Sequence, residues 1–420
     1  MTNNTPFAFL PVASNLVPDE AGIRRIIQDY LQPLAAHGGQ WQPADHLDTP
    51  QPLLYFVVTG GTENAILHHS AVRHQAMAGE PVFLLAHPTH NSLPASLEVL
   101  ARLQQDGVPG RILYLRGADD EAGWWEVATA VHDLATWRYL QQARIGLVGD
   151  PSDWLVASMP GADTVRQAWG PHIIPVNLVD VEAAIQAVPV TAVTAQIAEL
   201  QQSATDIREP TPAQITDAAR TYVALKDVVQ QQHLDALTVR CFDIVMRLKT
   251  TGCFGLAQLT DEGIIAGCEG DLVSTVALLW AYKLLGEIPW MANPAQLDEA
   301  RNTLWLAHCT VPRRIVQEYR LRSHFESGEG LGIEGSFAAG PVTLLRLGGR
   351  HMERIWLAEG EILQSGHAEN LCRTQAEVRL THGGHVGDLL RTPLGNHTIL
   401  IPGHHLNRLR RWWETMRQTV

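Results

Sequence analysis

Four carboxylates stand within a short stretch, Thr260-Asp-Glu-Gly-Ile-Ile-Ala-Gly-Cys-Glu-Gly-Asp271. Asp261 and Glu262 follow the apolar run Cys253-Phe-Gly-Leu-Ala-Gln-Leu259, and Glu269 and Asp271 follow Ile264-Ile-Ala-Gly267. Both runs read as buried strands, and two neighbouring parallel strands would gather all four acids at one sheet edge. Carboxylates collected in that way repel and require a cation or a shared proton. Hard divalent ions such as Mn²⁺ and Mg²⁺ favour oxygen ligands, so the chemistry this cluster predicts is metal-assisted. Each acid also has a plainer reading. Asp271 stands where it would cap a following helix, and Glu262 can be a solvated loop residue.

Histidine is the other informative residue type. Nineteen are present, nine of them from His308 onward, and imidazole is both the commonest metal ligand and the usual proton carrier near neutral pH. Asn396-His397 precedes the strand-like residues 398–401, and His308-Cys309 follows the apolar residues 304–307. A histidine at the edge of a buried strand can add a nitrogen to an acidic metal site. His404 and His405 are adjacent, so in extended chain only one can face such a site. Two N-terminal turns are candidates for substrate contact. Thr59-Gly-Gly-Thr-Glu63 follows a strand-like run, and backbone amides at such a turn can hold an anion or a sugar hydroxyl. It is not a dinucleotide fingerprint, and no lysine follows as in a P-loop. The alternative is a tight turn capped by Thr62. His87-Pro-Thr-His-Asn-Ser92 ends the next run, where it can orient a substrate or cap a helix through Asn91 or Ser92. Glu63, His90 and Asn91 are the candidates taken from these turns.

The elements that must position these groups are legible in outline. Residues 7–12, 53–58, 81–86, 111–115, 144–148 and 173–177 are short, continuous apolar runs separated by helical patterns. That is the signature of parallel sheets covered on both faces, whose ligands collect at the carboxyl ends of the strands. Long helical patterns cover residues 181–205 and 211–235. The strongly apolar Leu272–Leu285 ends at Gly286, a suitable helix stop. From about residue 304 the texture changes to glycine-dense, strand-like runs at 342–346, 354–357, 377–380 and 398–401, which predict a β-rich, barrel-like domain. A helical tail, Leu406–Met416, carries Trp412 and Trp413, which would dock on a neighbouring copy or on their own domain. The expected domains are residues 1–148, 149–303 and 304–420.

Composition bounds the function. The 420 residues carry 31 Lys and Arg against 44 Asp and Glu, a net charge of −13 that disfavours broad nucleic-acid binding. Five cysteines without C-x-x-C spacing argue against a disulfide framework and for reduced thiols. The N-terminal residues lack the pattern of a signal peptide, and the most apolar run, 272–282, is shorter than the ~20 residues of a membrane span. A cytoplasmic protein with no membrane partner is expected.

Taken in order along the chain, these stretches resemble the L-fucose isomerase and L-arabinose isomerase superfamily of metal-dependent sugar isomerases. The resemblance is carried by Asp261-Glu-Gly-Ile-Ile-Ala-Gly-Cys-Glu-Gly-Asp271, Leu306-Ala-His-Cys309, Gly340-Pro-Val-Thr-Leu-Leu-Arg346, Glu359-Gly-Glu361 and Gly395-Asn-His397. Thr59-Gly-Gly-Thr-Glu63 and Asn91-Ser-Leu-Pro94 look like the shorter, fucose-isomerase-like members. The resemblance implies an α/β fold with two Rossmann-like parallel-sheet domains and a β-rich C-terminal domain. It also implies aldose–ketose isomerisation of a sugar through an enediol with a divalent ion, usually Mn²⁺, with Mg²⁺ or Co²⁺ as substitutes. Glu262, Asp271 and His397 are the implied metal ligands, and Glu262 and Asp271 the implied proton carriers. Glu269 and His308 would then contact the substrate or support the ligands, and Glu63, His90 and Asn91 would bind substrate. Family members are oligomers, which implies a homo-oligomer, a trimer or hexamer. Three rivals stand beside this reading. One is an isomerase of a modified or anionic sugar recognised by Arg313, Arg314 or Arg346. The others are a sugar-binding protein and a catalytically silent regulator.

Overall fold

The computed structural model describes residues 5–17 and 19–417. It is a mixed α/β structure in two compact units. One unit runs to Tyr139 and takes in the chain again from Arg408; the other is Leu140–Asn407.

The first unit holds a five-stranded, all-parallel sheet. In spatial order its strands are Gly39–Trp41, Phe7–Val12, Leu53–Val57, Val82–Ala86 and Gly110–Tyr114. The three central strands are buried along their whole length, as their unbroken apolar runs require when helices cover both faces. The tail helix Leu406–Met416 returns to this unit. Trp412 is 1% exposed and its indole donates to the Asp133 carbonyl at 3.2 Å, while the Arg411 guanidinium meets Glu126. The tail thus packs on the N-terminal unit and not on the domain of residues 304–420 with which it was expected to belong.

The second unit joins a parallel sheet to a closed barrel. The sheet order is Ile265–Cys268, Ala236–Val239, Arg144–Val148, His172–Val176. The barrel runs Trp290–Asp298, Thr303–His308, Thr374–Gly383, Arg354–Ser365, Gly340–Gly348, Thr398–Pro402, antiparallel throughout and closing back on Trp290–Asp298. Closure leaves no open edge, so these short glycine-punctuated strands need no further partner. The helix Leu272–Leu285 lies between sheet and barrel and touches strands of both. That position explains why it is apolar all round instead of along one stripe.

Two local expectations fail for physical reasons. Residues 253–259 form no strand; Cys253–Asp261 is a helix. Nearly every residue of it is buried, so its apolar pattern has no period to separate helix from strand. The stop is set by Gly263 at φ +86°, with Ile264 N–H bonded to the Leu259 carbonyl at 2.9 Å and Gly263 N–H to Thr260 at 3.0 Å, a left-handed helix ending. The long helix expected over 181–205 is broken into Leu178–Ala187 and Thr194–Ser203. Pro189 cannot donate into a continuing helix, and Val188 before it is forced out of the helical region. Among the described residues, no helix is long and apolar enough to cross a membrane.

Candidate metal centre

Glu269 and Asp271 sit just past the carboxyl end of the strand Ile265–Cys268. The chain leaves that strand through two left-handed residues, Glu269 at φ +64° and Gly270 at φ +71°. Position 270 must be glycine, because a Cβ there would lie 2.7 Å from the Pro151 Cα and 2.9 Å from the Asp150 carbonyl. Glu269 has no such freedom of conformation. It is held there by its carbonyl, which accepts from Ser152 N–H at 2.8 Å, and by its carboxylate, which accepts from the Trp154 indole at 2.6 Å. A non-glycine residue kept in this region stores strain, a common property of functional positions.

The helix Leu272–Leu285 begins at Asp271, whose side chain accepts from Ser274 N–H at 2.8 Å and from Ser274 Oγ at 2.7 Å. The capping role is therefore real, but it uses only part of the carboxylate. Asp271 Oδ2 also accepts from His397 Nδ1 at 2.8 Å, while Arg346 Nη1 stands 3.5 Å behind it. The strand Thr398–Pro402 begins just after His397, and barrel closure beside Trp290–Asp298 brings that histidine to the sheet's carboxyl edge. His308 ends the barrel strand Thr303–His308, and its Nδ1 is engaged by Thr310 Oγ1 at 2.7 Å.

The result is a buried group, Glu269, His308 and His397, whose ligand-type atoms all lie within 4.8 Å of one another. The His397 Nε2 atom is wholly buried and has no hydrogen-bond partner; Glu269 Oε1 is 3.6 Å away, beyond hydrogen-bond distance. A buried polar atom without a partner costs ~1–3 kcal/mol, and a cation placed among the three side chains would remove that cost. Asp271 behind His397 supplies the carboxylate that orients a metal-binding imidazole from its other nitrogen. One carboxylate oxygen and two imidazole nitrogens are a donor set that fits a first-row divalent ion.

Electrostatics agree with a cation site. Burial, helped by His397, pushes the His308 imidazole down to about 3, so it is neutral and has a lone pair to offer. Burial also opposes charge on His397, but the Asp271 hydrogen bond and the negative charges of Asp271 and Glu269 outweigh it and hold the ring's pKa up. For Asp271, burial is overcome by Arg346 and by His397, and the acid is held well below the usual carboxylate range. Glu269 is likewise lowered, its burial outweighed by His397 and Trp154. Negative charge is thus fixed on the two acids beside a nitrogen without a partner.

The other acids of the cluster go elsewhere. Because Cys253–Asp261 is a helix, Glu262 emerges at its end, on the amino side of the strand Ile265–Cys268 and at the opposite edge from Glu269. There it accepts from Tyr222 at 2.5 Å and Gln258 at 3.0 Å and pairs with Lys226 at 2.9 Å. Asp261 accepts the backbone N–H groups of Arg313 and Arg314 at 2.9 and 3.0 Å. The arginines offered for an anionic sugar are also committed. Arg313 binds Glu199, and Arg346 is 1% exposed and bonded to Ser274 and Ser158, both at 2.6 Å. Arg346 is part of the scaffold that fixes Asp271. Arg346→Met should lower stability by about 3–5 kcal/mol, the cost of stranding one member of a buried ion pair. The check is a lower denaturant midpoint at unchanged m-value.

A cavity of about 330 Å³ is lined by Glu269 and His308 of this group, with Trp154, Phe242, Asn293, His324, Glu326 and Asn396 among its other walls. No lysine or arginine lines it. His324 and Glu326 carry no signal in the sequence beyond their residue types. They lie in the loop between Glu318–Arg322 and Gly332–Ser336, far from the acid cluster along the chain. Burial and the Glu269 charge both raise the Glu326 carboxyl above its ordinary value. Glu63, His90 and Asn91 meet in the other unit. They line a cavity of about 610 Å³ with Ser14, Thr59 and Gly61 at the carboxyl edge of the five-stranded sheet, where the strand order reverses. That is where open parallel sheets place their ligands. Asn91, at φ +59°, precedes the helix Ser92–Gln105 without a side-chain cap, and Thr62 bonds back to the Thr59 carbonyl instead of capping.

The chain is similar to sulfoquinovose isomerases. It is 25% identical to the one from Alkalicoccus urumqiensis over 247 residues, 56% of this chain and 54% of that one. With the Priestia aryabhattai protein the identity is 22% over 237 residues, 54% of this chain and 52% of the other. With the protein from Clostridium sp. (strain MSTE9) it is 36% over 103 residues, 24% and 23% of the two chains. The chain thus spans about half the length of the curated relatives it matches. No protein-family model matches the sequence. A solved D-threo-3-hydroxyaspartate dehydratase from Delftia sp. HT23 aligns over 95% of this chain and 83% of its own at 10% identity. Its TM-score of 0.14 carries no argument.

Proposed function

We propose that this protein is a divalent-metal-dependent aldose–ketose isomerase whose substrate is a sulfosugar of the sulfoquinovose type. The observation that carries the reading is the buried Glu269–His308–His397 group, with its partnerless His397 Nε2 and Asp271 behind it. The names of the relatives supply the reaction and the substrate class. Glu269, His308 and His397 would hold the ion, and Asp271 would position His397. When bound, such an ion supplies Lewis-acid polarisation of the sugar's carbonyl and hydroxyl oxygens. Mn²⁺ is proposed ahead of Co²⁺. With two nitrogens in the donor set, Mg²⁺, which keeps to oxygen, fits less well.

The remaining steps belong to the chain's own residues. An aldose becomes its ketose when a proton leaves C2 and is returned to C1 while the two oxygens exchange carbonyl character. Glu269 is committed to Trp154 and the ligand group. Glu326 is the other carboxylate on the cavity wall, it has no hydrogen bond or ion pair among the described residues, and its raised pKa suits a proton carrier. His324, held at Nδ1 by Ser327 Oγ at 3.0 Å, would donate to or accept from a sugar hydroxyl. Trp154 and Phe242 would cover the apolar face of the ring. Glu63, His90 and Asn91 would bind substrate, and the working protein would be a closed homo-oligomer, a trimer or hexamer. Light scattering should give a multiple of the chain mass at micromolar concentration, and a monomer would remove the assembly.

The deciding experiment uses protein stripped of metal and reloaded with Mn²⁺, Co²⁺, Mg²⁺ or Zn²⁺, offered sulfoquinovose and a panel of neutral aldoses. Ketose should form from sulfoquinovose with Mn²⁺ or Co²⁺ and vanish on chelation. Turnover that persists after complete metal removal would end the metal-dependent reading. A preference for neutral aldoses would end the sulfosugar reading.

A further inference from the structure

The chain's five cysteines are scattered over more than a hundred residues, yet Cys241, Cys253, Cys268, Cys309 and Cys372 all line the cavity above the candidate metal centre. Two of them are a pair by geometry. The sulfur atoms of Cys241 and Cys268 are 2.9 Å apart. Cys268 ends the strand Ile265–Cys268, where it lies opposite Val239 in the parallel ladder, and Cys241 opens the helix Cys241–Leu248 that follows Ala236–Val239. The two thiols therefore stand at the carboxyl ends of adjacent strands and face the same space. A disulfide needs a sulfur separation of about 2.05 Å, so closing this pair calls for a movement of under ~1 Å. Each residue is 5% exposed, and both form part of the cavity wall, which reaches solvent beside the half-exposed Trp154 and the exposed Glu326. A molecule as small as a peroxide can reach them by that route; a protein thiol cannot.

We propose that Cys241 and Cys268 are an oxidation site for small peroxides, closing to an intramolecular disulfide in the wall of the cavity. The step balances with one hydrogen peroxide. One sulfur, as its thiolate, attacks a peroxide oxygen; the O–O bond breaks, a sulfenic acid forms and one water leaves. The second sulfur attacks the sulfenic sulfur; the S–O bond breaks, the S–S bond forms and the second water leaves. Two thiols give up two electrons and the peroxide takes them, and a small-molecule dithiol reverses the step by exchange. Cys268 is bonded directly to Glu269, so the new link also tethers the strand end that aims that carboxylate.

The test uses the full reduced chain, freed of reductant and treated with equimolar hydrogen peroxide. Remaining thiols are then alkylated and the protein is mapped by mass. The expected product is lighter by about 2 Da before alkylation, contains a cross-link joining the Cys241 and Cys268 peptides, and returns to the free dithiol on reduction. Cys241→Ser should abolish the link, while Cys372→Ser should keep it. Alkylation of both Cys241 and Cys268 after peroxide would overturn the proposal, as would a link between Cys309 and Cys372 in its place or stable oxygen adducts on the sulfurs. The map on the unaltered chain decides the matter even if a variant fails to fold. Any effect on isomerisation rests on the function proposed above, whereas the linkage is read without turnover, so failure of one is not failure of the other.

Discussion

Glu269→Gln is expected to abolish divalent-ion binding and, with it, isomerisation. Glutamine keeps the shape and can still accept from Trp154 through its amide oxygen, so the fold should survive. What it lacks is the negative charge, which is the only carboxylate in the ligand group. Titration of stripped protein with Mn²⁺ should show the affinity falling by more than the ~10–100-fold typical of losing a supporting residue. Asp271→Asn provides the comparison. Asparagine still caps the helix, but it holds His397 without a charge, so the loss should stay within ~10–100-fold. Glu262→Gln should leave the affinity unchanged, because Glu262 is bound to Tyr222, Gln258 and Lys226 at the other edge of the sheet. Full Mn²⁺ affinity in Glu269→Gln, or loss of the ion in Glu262→Gln, would show that the centre lies elsewhere.

Glu326→Gln should leave metal binding intact and lower turnover by ~10²–10⁴-fold, the range for removing a general base. The cause is local. With Glu269 occupied by Trp154 and the ligand group, Glu326 is the remaining carboxylate on the cavity wall. Run in D₂O, the parent enzyme should place deuterium at the carbon that receives the proton, since a carboxyl proton exchanges with solvent. The variant should show matched losses of turnover and deuterium uptake with unchanged Mn²⁺ affinity. A Glu326→Gln protein that isomerises and exchanges at the parental rate would show that the proton travels by another group. Product that keeps the substrate hydrogen over many turnovers would favour a direct hydride shift, which needs no base.

The function proposed here depends on a distinction the linear chain does not contain. Residues 261–271 looked like one acid cluster, yet the structure divides them. A strand at 253–259 would have put Glu262 beside Asp271, whereas the helix Cys253–Asp261 carries it to the far edge. That helix is buried on nearly all sides, so its composition reports burial and hides its period. Leu272–Leu285 is as fully apolar, but its length, its capping acid and its terminal glycine made it recognisable.

Local chemistry was written in the sequence wherever a residue acts on its own neighbours. The parallel-strand runs, the barrel-like texture after residue 304, Asp271 as a helix cap and Gly286 as a helix stop all follow from side-chain shape, burial pattern and backbone freedom over a few positions. His397 and His308 could be marked as strand-edge imidazoles for the same reason. Only tertiary structure decided that Glu269 joins them while Asp271 stands behind His397. Which acid joins the two imidazoles depends on the left-handed turn at Glu269–Gly270 and on barrel closure bringing residue 397 to residue 271. The same holds for the cavity wall. Cys241 and Cys268 become neighbours only when their two strands pair, and His324 and Glu326 join the same wall from the loop after Glu318–Arg322, because contacts between residues distant along the chain leave no periodic trace in it.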